Sequence, residues 1–234
     1  MASIVIIPAR GGSKRIKEKN IVDFFGKPLI TYSIDTARRS NIFDVIHVST
    51  DSEKIKLIAD DFLGYSNFQR NLQLAGDDIG ILPVLRWVVE EYLKMGKEFD
   101  DVCLLFPTAP LILPIDLIEA YKIFLTEKRR LPIVAVAKYP VPIEWAYTPN
   151  VISGELVRTF SHEHTDAMSQ DIESKFYDAG AFAFFETKQL LDESCDIGLN
   201  FIGYKLPRYR AVDIDTPDDL EFAKLLFNAR LRTL

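Results

Sequence analysis

A buried strand runs directly into a glycine-rich loop in the stretch Ser3-Ile4-Val5-Ile6-Ile7-Pro8-Ala9-Arg10-Gly11-Gly12-Ser13-Lys14-Arg15. The two glycines let the backbone approach a ligand closely, and successive N–H groups can form an anion-binding nest. A Gly-Gly turn alone is commonly only a turn, but Arg10 and Lys14 place positive charge around this one. The glycine spacing differs from that of the Walker loop and of the dinucleotide fingerprint. We therefore expect a phosphate-binding loop of another type.

Outward from this stretch, apolar strand-like runs alternate with amphipathic helical segments. This alternation predicts an α/β fold with a mostly parallel, doubly wound Rossmann-like sheet, covered by helices on both faces. Ligands of such sheets bind beyond the carboxyl ends of the strands, so the loops after Ile7, Ser49, Phe106 and Ile214 are the candidates. The expected strands are residues 4–7, 45–49, 102–106, 133–137, 182–185 and 201–206; the expected helices are 28–39, 52–62, 82–95, 115–127 and one opened by Thr216.

The alternation weakens between residues 140 and 176. Alternating residues such as 151–160 favour β-hairpins there rather than another strand-helix unit. We therefore expect a single domain over residues 1–234 with a small projecting β-rich segment at 140–176.

Composition limits the classes of partner. The chain has 234 residues, of which 48% are hydrophobic and 26% charged, and a net charge of −6. An acidic chain is unsuited to nucleic acid as its main partner, and no apolar run is long enough for a bilayer span. The first residues lack the features of a signal peptide, so we expect a cytoplasmic protein without a membrane partner. Cys103 lies in an apolar run and predicts a buried free thiol rather than a disulfide.

An acidic pair lies near the end of the sequence, in Val212-Asp213-Ile214-Asp215-Thr216-Pro217. Side chains at i and i+2 of an extended segment point the same way. Two carboxylates so placed suit Mg²⁺, which keeps several waters and bridges phosphates. Asp213 and Asp215 are therefore the predicted metal ligands, whereas Asp219 is expected to complete a capping box with Thr216.

Several motifs resemble the acylneuraminate cytidylyltransferases, which make CMP-activated sialic, legionaminic and pseudaminic acids from CTP. The resemblance begins in residues 6–16 and continues in Lys19-Asn20-Ile21 and Gly26-Lys27-Pro28-Leu29-Ile30. It implies a nucleotidyltransferase-type fold with CTP and an acidic nine-carbon sugar as substrates. Family members usually dimerise through a projection such as 140–176, so the resemblance also implies a homodimer. The implied nucleotide-binding residues are Ala9, Arg10, Gly11, Gly12, Ser13, Lys14, Asn20, Arg70 and Asp77.

Two further segments bear on the sugar. Phe106 precedes Pro107-Thr108-Ala109-Pro110, where sialic-acid members have glutamine, and we expect it to be a core aromatic. The stretch His164-Thr165-Asp166-Ala167-Met168-Ser169-Gln170-Asp171, followed by Tyr177-Asp178-Ala179-Gly180, resembles the pseudaminic-acid branch, although Met168 replaces the usual arginine. Gln170, Tyr177 and Asp178 are the implied sugar-binding residues. Cations in Arg208-Tyr209-Arg210 could compensate for the missing arginine.

The implied reaction is attack of the sugar's anomeric hydroxyl on the α-phosphorus of CTP. Arg10, Lys19, Asp213 and Asp215 are the implied catalytic residues, with Mg²⁺ as cofactor; the sequence does not decide between Mg²⁺ and Mn²⁺. The base is either hydroxide on the metal or one of the aspartates. Pseudaminic acid is the expected sugar, with N-acylneuraminic or legionaminic acid as alternatives. Alternatives from other classes are a non-catalytic nucleotide-binding regulator and a structural module that associates through 140–176.

Overall fold

The computed structural model describes residues 2–160, 168, 170–195, 198 and 200–232. Ten strands are present in this part of the chain: β1 (Ser3–Pro8), β2 (Asp23–Phe24), β3 (Lys27–Pro28), β4 (Val45–Ser49), β5 (Asp101–Leu105), β6 (Ile133–Lys138), β7 (Tyr147–Pro149), β8 (Leu156–Arg158), β9 (Phe176–Glu186) and β10 (Ile202–Lys205). The helices among the described residues are α1 (Ile30–Ser40), α2 (Glu53–Leu63), α3 (Ile81–Lys94), α4 (Pro114–Thr126), α5 (Thr187–Leu191) and α6 (Pro217–Leu231).

Six strands form the central sheet, in the order β10-β6-β9-β5-β1-β4. Strand β1 is parallel to β4 and β5, and β10 is parallel to β6. Alternate residues of β1 contribute to two different apolar clusters. Val5 and Ile7 share a cluster with α1, α2 and α4, whereas Ile4 and Ile6 share one with α3 and α5. The predicted α/β fold, with a mostly parallel sheet covered on both faces, is confirmed.

Strand β9 runs against both of its neighbours, β5 and β6. The sequence predicts a strand at residues 182–185 as part of a mostly parallel sheet, and the parallel direction is wrong for this strand. The chain leaves β6 at Lys138 and returns at Phe176, which pairs with Lys138. Because exit and return lie at the same edge, β9 re-enters without the crossover that a parallel strand requires.

Most predicted helix boundaries agree with the structure to within one or two residues. The exception in kind is Pro28, which was expected in the first turn of a helix but pairs with Asp23 in the short β2-β3 hairpin. Helix α1 begins two residues later, at Ile30. Among the described residues, no helix combines the length and the apolar composition needed to cross a bilayer.

A third apolar cluster connects the two ends of the sequence. Helix α6 contributes Leu220, Ala223 and Phe227, and these pack with Ile16 from the first loop and Ile214 from the acidic segment. Burial of these side chains fixes the first loop against the segment that carries the aspartates. The cluster thus holds the basic and acidic motifs on the same side of the molecule.

Between β6 and β9, the described residues include the short antiparallel hairpin β7-β8. Every residue of these two strands is exposed. The apolar side chains Val151 and Ile152 follow β7 and are 97% and 98% exposed. His162 and His164, which the sequence suggests only as solvated residues, and Ser169 lie outside the described residues.

Candidate active site

The predicted phosphate-binding loop follows β1 at the carboxyl edge of the parallel strands. Its start is anchored by the N–H group of Ala9, which donates to the carbonyl oxygen of Ser49 at 2.8 Å. The side-chain amide of Asn20 donates to the Arg10 carbonyl oxygen at 2.9 Å, which ties the far end of the loop back to its beginning. Asn20 is buried and therefore shapes the loop from inside.

Gly11 lies where the first loop touches the loop after β4. Its N–H group donates to Oδ1 of Asp51 at 2.9 Å. A β-carbon at Gly11 would lie 3.0 Å from the β-carbon of Ser52, so a larger residue would push the two loops apart. Ser52 also caps α2, because its hydroxyl accepts from the N–H group of Ile55. By contrast, a β-carbon at Gly12 would meet nothing within 4 Å, so its side faces open space.

Two cations of the first loop face a carboxylate from a distant segment. Arg10 and Lys14 both form ion pairs with Asp77. The hydrogen bonds from Lys14 and Arg10 lower the pKa of Asp77. A triphosphate bound by this loop would compete with Asp77 for the same two cations.

Two further cations of the loop, Arg15 and Lys19, reach Asp215 of the acidic pair. Lys19 Nζ lies 2.8 Å from one carboxylate oxygen of Asp215, and Arg15 Nη2 lies 2.8 Å from the other. The hydrogen bond from Lys19 is the main reason that the pKa of Asp215 is lowered. The first loop and the last acidic motif therefore meet in space, as the sequence interpretation requires.

Asp213 has different neighbours from Asp215. The hydroxyl of Thr108 donates to its Oδ1 at 3.1 Å, and Gly180 packs against its Oδ2. Asp213 is an exposed residue, but its neighbours displace part of the water around its carboxyl, and this desolvation raises its pKa. The negative charge of Asp215 adds to this rise. Because the charge of Asp215 disfavours ionisation of Asp213, a cation bound between the two carboxylates would relieve this repulsion.

The donor set around the pair fits the predicted metal. Within the described ranges, no group of three or more His, Cys, Asp or Glu side chains is arranged to hold a metal ion. Mg²⁺ does not require such a group, because it is commonly bound by one or two carboxylates with phosphates and waters completing its shell. Asp213 and Asp215 supply two oxygen-bearing side chains of this kind. Binding of Mg²⁺ at this pair stays a prediction.

Arg70 lies beside the first loop and the loop after β4, and its side chain is buried. Its Nε donates to the hydroxyl of Ser49 at 3.0 Å, and its Nη2 donates to the Ser49 carbonyl oxygen at 2.6 Å. Burial lowers the pKa of Arg70 to about 10, and the nearby charge of Arg10 contributes to that fall. Its position thus supports the loop after β4, while direct contact with a nucleotide stays a prediction.

The reversal of β9 brings two predicted sugar-binding residues to the same edge as the aspartates. Tyr177 pairs with Ala137 and Asp178 with Val136, near the carboxyl end of β6. The Asp178 carboxylate accepts a hydrogen bond from the N–H group of Gly180 at 2.9 Å, and Gly180 packs on Asp213. Gly180 therefore contacts both Asp178 and Asp213, which connects the predicted sugar-binding residues to the acidic pair.

Gln170 lies apart from this turn. It is exposed and lines a groove of about 300 Å³ together with residues 138–142 and 172–175. Met168, which stands where the family arginine is expected, is 68% exposed. The structure does not bring Gln170 into contact with Asp213 or Asp215, so its role in sugar binding stays a prediction.

Comparison with known proteins places the chain. A family model described as Cytidylyltransferase matches residues 4–78. The pseudaminic acid cytidylyltransferase of Campylobacter jejuni is 38% identical over 227 residues, which are 97% of this chain and 97% of that protein. This chain belongs to the cytidylyltransferase family.

Two further proteins are similar to this cytidylyltransferase, one in sequence and one in fold. The CMP-N,N'-diacetyllegionaminic acid synthase of Legionella pneumophila is 28% identical and covers 100% of both chains. The solved structure of CMP:2-keto-3-deoxy-manno-octonic acid synthetase complexed with CTP superposes with a TM-score of 0.73, at 17% identity, over 98% of this chain and 100% of that one. At this identity the superposition establishes a shared fold. The family resemblance inferred from the motifs is confirmed.

Three contacts of this cytidylyltransferase were missed at the sequence level. These are the bond from Thr108 to Asp213, the packing of Gly180 on Asp213, and the ion pair of Arg15 with Asp215. Thr108 and Gly180 belong to quoted motifs, and this could have drawn attention to them. Their contact with a residue more than thirty positions away is visible only once the strands are assembled.

Arg210, one of the cations considered as a substitute for the absent arginine, is paired with another carboxylate. Its guanidinium forms an ion pair with Asp116, whose side chain is 1% exposed. The hydroxyl of Tyr204 donates to the other oxygen of Asp116 at 3.2 Å. Removing Arg210 from this buried carboxylate would leave the charge without its counter-ion.

Phe106 packs partly buried against the cluster on the α3 face, in agreement with its expected place in the core.

Proposed function

We propose that this cytidylyltransferase transfers CMP from CTP to the anomeric hydroxyl of a nonulosonic acid. The observation that carries the proposal is the meeting of Lys19 and Arg15 with Asp215 beside the glycine-rich loop. This arrangement offers positive charge for phosphates and carboxylates for a divalent cation at one edge of the sheet. The family membership and the full-length similarity to CMP-sugar synthetases support the same reaction.

In the proposed reaction, the anomeric oxygen attacks the α-phosphorus of CTP and the bond from that phosphorus to the β-phosphate oxygen breaks. Pyrophosphate leaves, and the hydroxyl proton is taken up by a base, for which the carboxylates of the acidic pair are candidates. The loop N–H groups, Arg10 and Lys14 bind the phosphates, while Lys19 stabilises charge that develops on the transferred group. Asp213 and Asp215 would hold Mg²⁺, which would supply charge neutralisation and orientation for the phosphates when bound.

Pseudaminic acid is the sugar that we propose. The support is the Phe106-Pro107-Thr108-Ala109-Pro110 turn, the Ser169-Gln170-Asp171 segment and the higher identity to the Campylobacter protein. Legionaminic acid is the second candidate, because the Legionella synthase matches the whole chain, and N-acylneuraminic acid is the third. We assign Asp178 and Tyr177 to the sugar, and their pairing with the carboxyl end of β6, at the edge of the acidic pair, supports this.

A panel of nonulosonic acids tests the proposal. The purified protein is incubated with CTP, Mg²⁺ and one sugar at a time, and the products are measured as CMP-sugar by mass and as released pyrophosphate. We expect CMP-pseudaminic acid to form with the highest kcat/KM, and pyrophosphate to appear only when a sugar is present. An Asp215→Ala variant is the control and is expected to stay folded without turnover.

Two outcomes would reject the proposal at different levels. Highest kcat/KM with another nonulosonic acid would reject pseudaminic acid as the preferred substrate. CTP binding without CMP transfer to any sugar would favour the non-catalytic regulator.

We also propose that the protein is a homodimer in which the 140–176 segment forms the contact. Its support is the exposed hairpin β7-β8 and the apolar pair Val151 and Ile152. Exposed adjacent apolar side chains are unfavourable in water and are typical of protein–protein contacts. Placement in the cytoplasm, where CTP is available, is a further part of this proposal.

A further inference from the structure

Two residues that are distant from Asp213 in sequence hold its carboxylate. The Thr108 hydroxyl donates to Oδ1 at 3.1 Å. On the other oxygen, the backbone of Gly180 lies so close that a β-carbon there would be 2.9 Å from Oδ2 and 3.0 Å from Cγ. Real β-carbons do not approach other atoms this closely, so any side chain at 180 would displace the Asp213 carboxylate.

The backbone conformation at position 180 is a second, independent reason why this position requires glycine. Its φ angle is +58°, in the left-handed region that residues with a β-carbon rarely adopt. The N–H group of Gly180 donates to the carboxylate of Asp178 at 2.9 Å, which holds the turn in this conformation. The turn thus presents bare backbone to Asp213.

We propose that Gly180 and Thr108 are positioning residues that orient the carboxylate of Asp213 and thereby set the affinity of the acidic pair for its divalent cation. The inference rests on the proposed function, because it takes Asp213 as a metal ligand. Partners of metal-ligating side chains commonly change metal affinity by ten- to a hundredfold when they are removed. Mg²⁺ is sensitive to such changes because it demands near-ideal octahedral geometry.

Direct metal binding is the decisive measurement. Mn²⁺ is used as the probe, and free Mn²⁺ is followed by electron paramagnetic resonance in the presence of CTP and without sugar. For Gly180→Ala and for Thr108→Val, we expect the Kd for Mn²⁺ to rise about tenfold to a hundredfold. Thr108→Ser keeps the hydroxyl and is expected to restore the wild-type affinity.

A matched control separates positioning from general damage. Gly203 lies in β10, and a β-carbon there would be 2.8 Å from Cγ2 of Val136, so Gly203→Ala crowds the same sheet without touching Asp213. We expect this variant to lower the thermal unfolding midpoint while its Mn²⁺ affinity stays at the wild-type value. Thr108→Val introduces no backbone strain and keeps the test available if Gly180→Ala does not fold.

Kinetics supply a second readout. In Thr108→Val, we expect the Mg²⁺ concentration for half-maximal rate to rise, while the rate at saturating Mg²⁺ returns toward that of the wild type. A purely structural role would lower the rate equally at all Mg²⁺ concentrations and would overturn the inference.

The outcomes distinguish this inference from the proposed function. Wild-type protein that makes no CMP-sugar would reject the proposed function, whatever the Mn²⁺ affinities are. Active wild-type protein, together with folded Gly180→Ala and Thr108→Val variants of unchanged Mn²⁺ affinity, would reject the positioning role alone.

Discussion

At the residue scale, four cations of the first loop are divided between two carboxylates. Arg10 and Lys14 face Asp77, whereas Arg15 and Lys19 face Asp215. Such pairs at the surface are individually weak, so a polyanionic ligand can replace a carboxylate at modest cost. Asp77 is therefore a counter-ion for two cations that the proposed function assigns to the phosphates.

His47 is a titratable residue buried away from this site. Its side chain is fully buried in β4, and its Nδ1 lies 3.1 Å from the hydroxyl of Tyr92. Burial lowers the pKa of His47 to about 3, and the positive charge of Arg70 acts in the same direction. The imidazole of His47 is therefore neutral in the folded protein at neutral pH.

This shift predicts a loss of stability on acidification. Between pH 6.5 and about 3, the unfolded chain binds a proton at His47 that the folded protein does not bind, so stability falls as the pH falls below 6.5. His47 alone is expected to reduce the free energy of unfolding by about 1.4 kcal/mol from pH 7.5 to pH 5.5. Urea unfolding at both pH values measures the change. His47→Gln removes the titration, and an equal loss in that variant would contradict the assignment.

Individual site residues were predictable where their chemistry is local. The first loop and the Asp213–Asp215 pair can be recognised from residues that are adjacent in sequence, and the structure brings the two motifs together. Thr108 and Gly180 cannot be recognised in this way, because a threonine or a glycine acquires its role from the residue that it contacts.

At the element scale, β9 is the strand whose direction the sequence could not predict. Interior strands are apolar on both faces whether they run parallel or antiparallel, so Phe182-Ala183-Phe184-Phe185 reads the same in either case. Direction depends on where the preceding segment returns to the sheet. A parallel β9 would have placed Tyr177 and Asp178 at the opposite edge, away from the aspartates.

The residues that cap the start of α6 also form a hydrogen bond to the backbone of the acidic pair. The Thr216 hydroxyl accepts from the N–H group of Asp219, and the Asp219 carboxylate accepts from the N–H groups of Thr216 at 2.7 Å and Asp215 at 3.1 Å. This capping box was predicted from the sequence and is confirmed. It fixes the backbone of Asp215 as well as the first turn of the helix.

Removing the cap is expected to weaken the fold measurably. Thr216→Ala should lower the free energy of unfolding by about 1 kcal/mol, because one helix N–H group loses its acceptor. Denaturant unfolding of the variant beside the wild type provides the measurement. Thr216→Ser retains an acceptor and should lose only a small part of this energy; equal losses in both variants would show that the hydroxyl is not the stabilising group.

At the scale of the whole molecule, the decisive relation is between the two ends of the chain. The sequence predicted it because loops at the carboxyl ends of parallel strands share one edge. What the sequence could not supply is the apolar cluster of Ile16 and Ile214 with α6, which brings the basic loop within ion-pair distance of Asp215. Such packing depends on side chains from elements more than two hundred residues apart.

The proposed homodimer predicts a change in molecular mass when the hairpin is made polar. The double variant Val151→Asp, Ile152→Asp places two charges where the structure has two almost fully exposed apolar side chains. Light scattering after size exclusion is expected to give a dimer for the wild type and a monomer for the variant. Leu225→Asp on α6, where the side chain is 68% exposed, is the control and should stay dimeric. A monomeric wild type would contradict the proposal.

The pairing of the end of β6 with the start of β9 has a consequence for variation of the sequence between them. Lys138 and Phe176 are paired neighbours, and the N–H group of Tyr139 donates to the Lys175 carbonyl oxygen at 3.0 Å. In sequence, the residues between them are an insertion whose two ends are held together by this pairing. Because the entropy of closing a loop grows only slowly with its length, such an insertion can be shortened, extended or exchanged at little cost to the sheet. We therefore expect that the 140–176 segment can be altered with little effect on the sheet and on the first loop.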